Sequence, residues 1–258
     1  MTEKVLTEIR NGVLEVTLNR PEVLNAFDSD VHGGLDRLWT DFEADRSLRV
    51  AIVTGAGDRA FSAGSDIKYY ASGVPIVLPE NGYGGLSHRR LSKPVIAAVN
   101  GLALGGGFEF ALCCDLIVAS EQAEFGLPEV RIGAAALGGG IPRLCRKIPY
   151  NVALGLLLTA RRLKAAEALR LGLVNEVVAR AELLQAARAW AADILLGAPL
   201  AIEVSKGVAE DTLHGDASFE ALVGDSRDSR SRSILDSEDC REGMRAFGER
   251  RAPVWKGR

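Results

Sequence analysis

The order of apolar runs along the chain predicts an α/β fold built on a mainly parallel sheet. Three stretches are short and almost wholly apolar, at 49–54, 94–99 and 116–119, as strands buried on both faces are. Between the second and third, residues 105–114 read as a helix entered through three glycines. Strand, glycine turn, helix and strand in that order is the grammar of a parallel α/β arrangement.

The elements follow from the N-terminus. Residues 13–18 alternate and are rich in β-formers, so they form a strand that ends at Asn19-Arg20-Pro21. From 31 to 44, Val31, Leu35, Leu38 and Phe42 recur at helical spacing with acids on the opposite face. The strand at 49–54 runs into Gly55-Ala56-Gly57, and a second turn at Phe61-Ser62-Ala63-Gly64-Ser65-Asp66 caps a helix beginning near Asp66. Helical patterns at 151–171 and 181–197 flank a strand-like 174–178, and beyond 199 the pattern is polar and helical, without strands. No linker rich in proline or glycine separates independent domains, so the expected division is an α/β core over 1–198 and a C-terminal helical region over 199–258. In that region, 234–250 is amphipathic, with Ile234, Leu235, Met244 and Phe247 suited to subunit contact.

Bulk properties exclude several classes of partner. The 258 residues are 47% hydrophobic and 25% charged, with a net charge of −3. That balance gives no electrostatic reason to expect nucleic acid or an anionic membrane. No apolar run approaches the ~20 residues of a membrane span. The opening Met1-Thr2-Glu3-Lys4 lacks a signal-peptide layout, so a cytoplasmic location is expected. Cys113, Cys114, Cys145 and Cys240 fit neither a zinc spacing nor a disulfide framework, and His32, His88 and His214 are scattered, so no metal is expected.

Two glutamates carry the chemistry. Glu109 closes Gly105-Gly106-Gly107-Phe108-Glu109, and Glu129 closes Phe125-Gly126-Leu127-Pro128-Glu129. A carboxyl pair whose pKa values differ can take one proton from water and give another to carbon. The glycine turn at a helix N-terminus offers unpaired N–H groups and partial positive charge. Gly106 and Glu109 are three apart, so amide and carboxyl address one face. The turn at Ala63 offers a second donor. Each feature also has a plainer explanation, in close helix–strand packing, a solvated acid or a simple helix cap.

The stretch from Lys93 to Glu109, then Cys114-Asp115 and 125–129, resembles the enoyl-CoA hydratase/isomerase (crotonase) superfamily. Asn19-Arg20-Pro21 with Asn25-Ala26, residues 61–68, 158–161, 168–175 and 242–247 fit its other motifs, so the likeness covers essentially the whole chain. It implies a spiral of ββα units with a C-terminal helical region. It also implies oxyanion-hole amides from Ala63 and Gly106, and an acyl-CoA channel lined by Asn25, Ala26, Ala63, Gly64, Ser65, Asp66, Ile67 and Gly106. Glu109 and Glu129 fall on the two catalytic positions of the hydratases, Glu129 as proton donor and Glu109 as water activator. The implied reaction is reversible syn addition of water to a 2-enoyl-CoA. Coenzyme A is then part of the substrate, no further cofactor is needed, and the assembly is a homotrimer or a dimer of trimers.

Two stretches depart from the hydratase pattern. Residues 133–142 replace a Pro-Gly loop with Ala136 and Leu137, and 69–79 carries Tyr69, Tyr70 and an aliphatic run expected to lie over the acyl chain. An isomerase, a thioester hydrolase and a C–C lyase of the same superfamily are the alternative activities, and a catalytically inactive, RNA-associated relative is the non-enzymatic one. The short basic clusters at 227–232 and 249–251 are too interleaved with acids to favour RNA. Arg250, Arg251, Lys256 and Arg258 are candidates for the CoA phosphates. Residues 55–60 match a dinucleotide fingerprint nominally, but the following residues cannot form the helix that motif requires.

Overall fold

The computed structural model describes residues 3–75, 77–215 and 234–258, without the side chain of His214. Ile76 and the charge cluster at 225–230 lie outside the described residues.

The apolar runs form the centre of a six-stranded sheet. Its strands are β1 (Val5–Arg10), β2 (Val13–Leu18), β3 (Val50–Gly55), β5 (Val95–Val99), β7 (Leu116–Ser120) and β10 (Glu176–Val178), neighbours in that order. Only β1–β2 is antiparallel; β2–β3, β3–β5, β5–β7 and β7–β10 are parallel. All five residues of β5 are buried, which is why its sequence does not alternate. β1 was not expected: only Val5 of its six residues is less than exposed, so it carries no apolar signature.

A second, smaller sheet decides where the site lies. Three-residue strands β4 (Ala60–Ser62), β6 (Leu102–Leu104) and β8 (Glu124–Gly126) stand side by side and parallel, and β9 (Leu163–Lys164) adds antiparallel to β8. Each follows a strand of the large sheet, so β3–β4, β5–β6 and β7–β8 are successive turns of one spiral. Because β4, β6 and β8 are parallel neighbours, the turns after their C-terminal ends emerge along one edge. That edge is where an open parallel sheet presents its loops to a ligand.

Helices hold these turns. α1 (Ser29–Ala44) starts at Asp28, whose side chain accepts from the Val31 amide at 3.0 Å. Its fully buried Trp39 donates from Nε1 to the Gly84 carbonyl at 3.0 Å, pinning the short 3-10 turn Tyr83–Gly85. α2 (Ile67–Ala71) is capped by Asp66, as expected. α3 (Gly106–Cys113) starts immediately beyond β6. The helical pattern at 151–171 is two helices, α5 (Tyr150–Thr159) and α6 (Ala165–Arg170), parted by β9. α4 (Gly140–Lys147) precedes them and α7 (Leu183–Leu195) follows β10.

Contacts divide the chain into one unit of residues up to Leu91 with Val95–Ala191, and another of Ser92–Pro94 with Ala192–Arg258. The second unit holds α8 (Pro199–His214) and a C-terminal helix, α9 (Glu238–Glu249). Within it, Glu242 accepts from Arg251, Arg245 and the Val254 amide, and Asp239 accepts from the Lys256 and Gly257 amides. Arg251 is therefore held by Glu242 and Glu249, while Lys256 and Arg258 pair with Glu238. Met244 and Phe247 of α9 are exposed, 88% in the case of Phe247. Among the described residues, no helix is long and apolar enough to cross a membrane.

Candidate active site

Three turns meet at the small sheet's edge, each bringing what its sequence allows. The first follows β6. Gly105 adopts φ +53°, open to glycine, and turns the chain directly into α3. Gly106 is the helix's first residue, so its amide has no partner within the helix. Glu109, in the first turn, is only 4% exposed, and its Oε1 accepts the Gly140 amide at 2.9 Å.

The second turn follows β8 and carries Glu129 as the first residue of the 3-10 turn Glu129–Ile132. Its Oε1 lies 3.2 Å from where a Cβ on Gly105 would be. Its Oε2 is buried with no hydrogen-bond partner among the described residues. The Glu109 carboxyl sits as close to Gly138 and Gly140, where a Cβ would come within 2.9 Å of an oxygen. Glycines thus leave room for both carboxyls around the start of α3.

Electrostatics tie the pair together. Burial is the largest influence on Glu109 and pushes its carboxyl up to about 7; the charge of Glu129 adds to this, while the Gly140 and Gly138 amides and Arg143 oppose it. Glu129 is also raised, chiefly by burial. Each carboxyl therefore holds a proton more readily than an exposed glutamate does, and the charge on Glu129 makes Glu109 hold its own more firmly.

The third turn follows β4, and here one expectation fails. The Ala63 amide donates to the Leu24 carbonyl at 2.9 Å, so it is not available to a ligand. The bridge between Phe27 and Ser65 uses the Gly64 carbonyl and the Asp66 amide. That leaves Ser65 as the residue whose N–H has no hydrogen-bond partner among the described residues. A Cβ on Gly64 would lie 2.8 Å from the Gly106 nitrogen, so the 64–65 backbone packs against the α3 N-terminus. Among the described residues, the amides at this edge without a hydrogen-bond partner include those of Ser65 and Gly106.

Asn25 also departs from its expected place in a ligand channel. Its side chain is buried and fully used: Oδ1 accepts the Arg20 amide, and Nδ2 donates to the Ala56 and Ala60 carbonyls. Ala26 is buried, its carbonyl bound by Arg20. Asp66 caps α2 and pairs with Arg20 at 2.9 Å. Among the expected channel residues, Ile67 is 61% exposed, and Gly64, Ser65 and Gly106 line the edge itself. The glycine turn after β3 leads into β4 rather than a helix, so it builds no dinucleotide site.

Sequence reasoning missed three contributors. Tyr83 lies between the turns, its phenol where a Cβ on Gly106 would collide with it. His32 packs edge-on to it, and burial pushes the imidazole down to about 4. The Gly138 and Gly140 amides hold the Glu109 carboxyl, while Leu137 beside them is 82% exposed. A lone tyrosine in a glycine-rich loop gives no signal, whereas three glycines opening a helix do. Tyr69 and Tyr70 pack edge to face in α2, and the aliphatic Val77 and Leu78 after it are exposed. Among the described residues, no group of three or more His, Cys, Asp or Glu side chains could hold a metal ion.

Comparison with known proteins follows the same lines. The family described as enoyl-CoA hydratase/isomerase matches residues 8–258. The (E)-benzylidenesuccinyl-CoA hydratase of Thauera aromatica is 40% identical over 270 residues, covering 98% of this chain and 99% of that protein. A carnitinyl-CoA dehydratase of Salmonella typhi is 44% identical over 256 residues, covering 96% and 97%. An enoyl-CoA hydratase structure from Mycobacterium tuberculosis H37Rv superposes with a TM-score of 0.93 at 40% identity, covering 99% of both chains.

Proposed function

The chain belongs to the enoyl-CoA hydratase/isomerase family, and from that premise we propose how its own residues hydrate a 2-enoyl-CoA. The activity is that of a hydratase-type lyase: water adds reversibly across a conjugated double bond to give a 3-hydroxyacyl-CoA. One observation carries the reading. Two glutamate carboxyls and two unpaired backbone amides occupy a single glycine-lined edge.

The thioester oxygen accepts from the Ser65 and Gly106 amides. One such donor is worth roughly 2.7–4 kcal/mol where negative charge develops. Glu109, ionised, takes a proton from water, and the oxygen left behind bonds to C3. The C2=C3 electron pair moves through the enolate, and Glu129, protonated, delivers its proton to C2 on the same face. Proton exchange within the pair then restores the starting state. Glu109 suits the base role because the Gly140 N–H bond favours its ionised form and its pKa stands near neutrality. Glu129 takes the acid role that the family likeness gives it: burial raises its carboxyl, as it raises that of Glu109, and its Oε2 has no hydrogen-bond partner among the described residues.

Coenzyme A enters as part of the substrate, and these proton transfers call for no other group. The relatives' names point to acyl groups with a polar or aromatic substituent beyond C3 as the first to try. Four free cysteines suit a reducing, cytoplasmic compartment. The exposed Met244 and Phe247 offer apolar surface for subunit contact, and the family likeness gives that assembly as a homotrimer or a dimer of trimers. A panel of enoyl-CoA thioesters, followed by loss of conjugated absorbance, tests the activity, with Glu109→Ala and Glu129→Ala as controls. Each substitution lowers kcat by about 10²–10⁴-fold. Normal turnover in both variants rules out the assigned roles.

A further inference from the structure

Tyr83 is positioned as a working group of this site. Its backbone N–H donates to Ser87 Oγ at 2.8 Å, its ring stacks on Phe27 at 5.2 Å and 15°, and His32 meets it edge-on at 4.6 Å. The ring is therefore locked on several sides, and only 5% of the residue is exposed.

The direction of the hydroxyl is informative. His32 Nε2, in the imidazole packed on this ring, is buried without a partner among the described residues, yet the phenol does not bond to it. The phenol oxygen instead reaches the site edge, 3.4 Å from Ser65 Oγ and against Gly106. Ser65 and Gly106 both carry amides without a hydrogen-bond partner among the described residues. A buried hydroxyl with one long contact still has hydrogen-bonding capacity to give a ligand.

We propose that the Tyr83 hydroxyl is a third hydrogen-bond donor to the thioester carbonyl oxygen, beside the Ser65 and Gly106 amides. The glycine at 106 then has two functions, freeing an amide and leaving space for the phenol. Burial holds the phenol far above the ordinary tyrosine range, so it keeps its proton wherever the enzyme works. Clamped by Phe27 and His32, the donor needs no reorganisation as charge builds on the oxygen.

The proposal rests on the hydratase reading, so the test separates the two. A saturated, unreactive acyl-CoA labelled with ¹³C at its carbonyl is bound to the parent protein and to Tyr83→Phe, and the carbonyl stretch is read by difference infrared spectroscopy. The parent lowers the stretch relative to free thioester, and Tyr83→Phe reverses part of that lowering. In the hydration assay the same variant loses about 10- to 100-fold in kcat, with KM within a few-fold of the parent. An unchanged stretch in Tyr83→Phe overturns the proposal, whether turnover falls or not, because a purely structural role would leave the carbonyl unpolarised by residue 83. A parent that leaves the stretch where it is in solution overturns the two-amide site and this proposal with it.

Discussion

Replacing Glu109 with glutamine makes the protein more stable at alkaline pH while disabling it. The carboxyl stands at about 7 in the folded chain against an ordinary 4.5. Between those values the native state binds more protons than the unfolded one, so stability falls as pH rises from about 4.5 to about 7 and levels off above. At roughly 1.4 kcal/mol per pH unit, ionising this buried group costs about 3 kcal/mol at pH 8 and under about 1 kcal/mol at pH 5. Glutamine never ionises, keeps an oxygen for the Gly140 amide, and removes that dependence. The stability gap between Glu109→Gln and the parent therefore widens by about 2–3 kcal/mol from pH 5 to pH 8. Comparing the gap at two pH values cancels whatever the new amide costs in packing against Gly138. Urea unfolding of both proteins at the two pH values measures it, with the Tm of the variant rising by roughly 5–10 °C relative to the parent at pH 8. A gap that is the same at both pH values would show that burial does not hold Glu109 above the usual carboxylate range.

Two further outcomes follow from the same contacts. The pH dependence of kcat/KM is bell-shaped, because the pair needs one proton: activity is lost in acid as both carboxyls fill and in alkali as both empty. A profile flat from pH 5 to pH 9 contradicts a shared proton. Asn25→Ala strips a buried side chain of three hydrogen bonds and puts alanine at φ +55°, so stability drops by about 3–5 kcal/mol. Equilibrium unfolding checks this, and a loss below about 1 kcal/mol would mean the 20–26 and 55–60 loops do not depend on that side chain.

Much of this protein can be read from its residues taken locally. Apolar runs mark β3, β5 and β7 because strands buried on both faces cannot alternate. Helical spacing marks α1, and three glycines before a glutamate mark an open helix end with an acid beside it. Such signals survive without a fold because period and backbone freedom are properties of a few consecutive residues. The rest depended on partners distant in sequence. A three-residue strand such as β4, β6 or β8 is too short for any period, yet side by side these strands bring Ser65, Gly106, Glu109 and Glu129 to one edge. Which amide remains free there was settled by the carbonyl of Leu24 taking the one at Ala63. Tyr83 joins the site only because α1 supplies Trp39 to hold its loop and His32 to face its ring. Burial, which raises the pKa values of the glutamates, exists only once turns distant in sequence have packed around them.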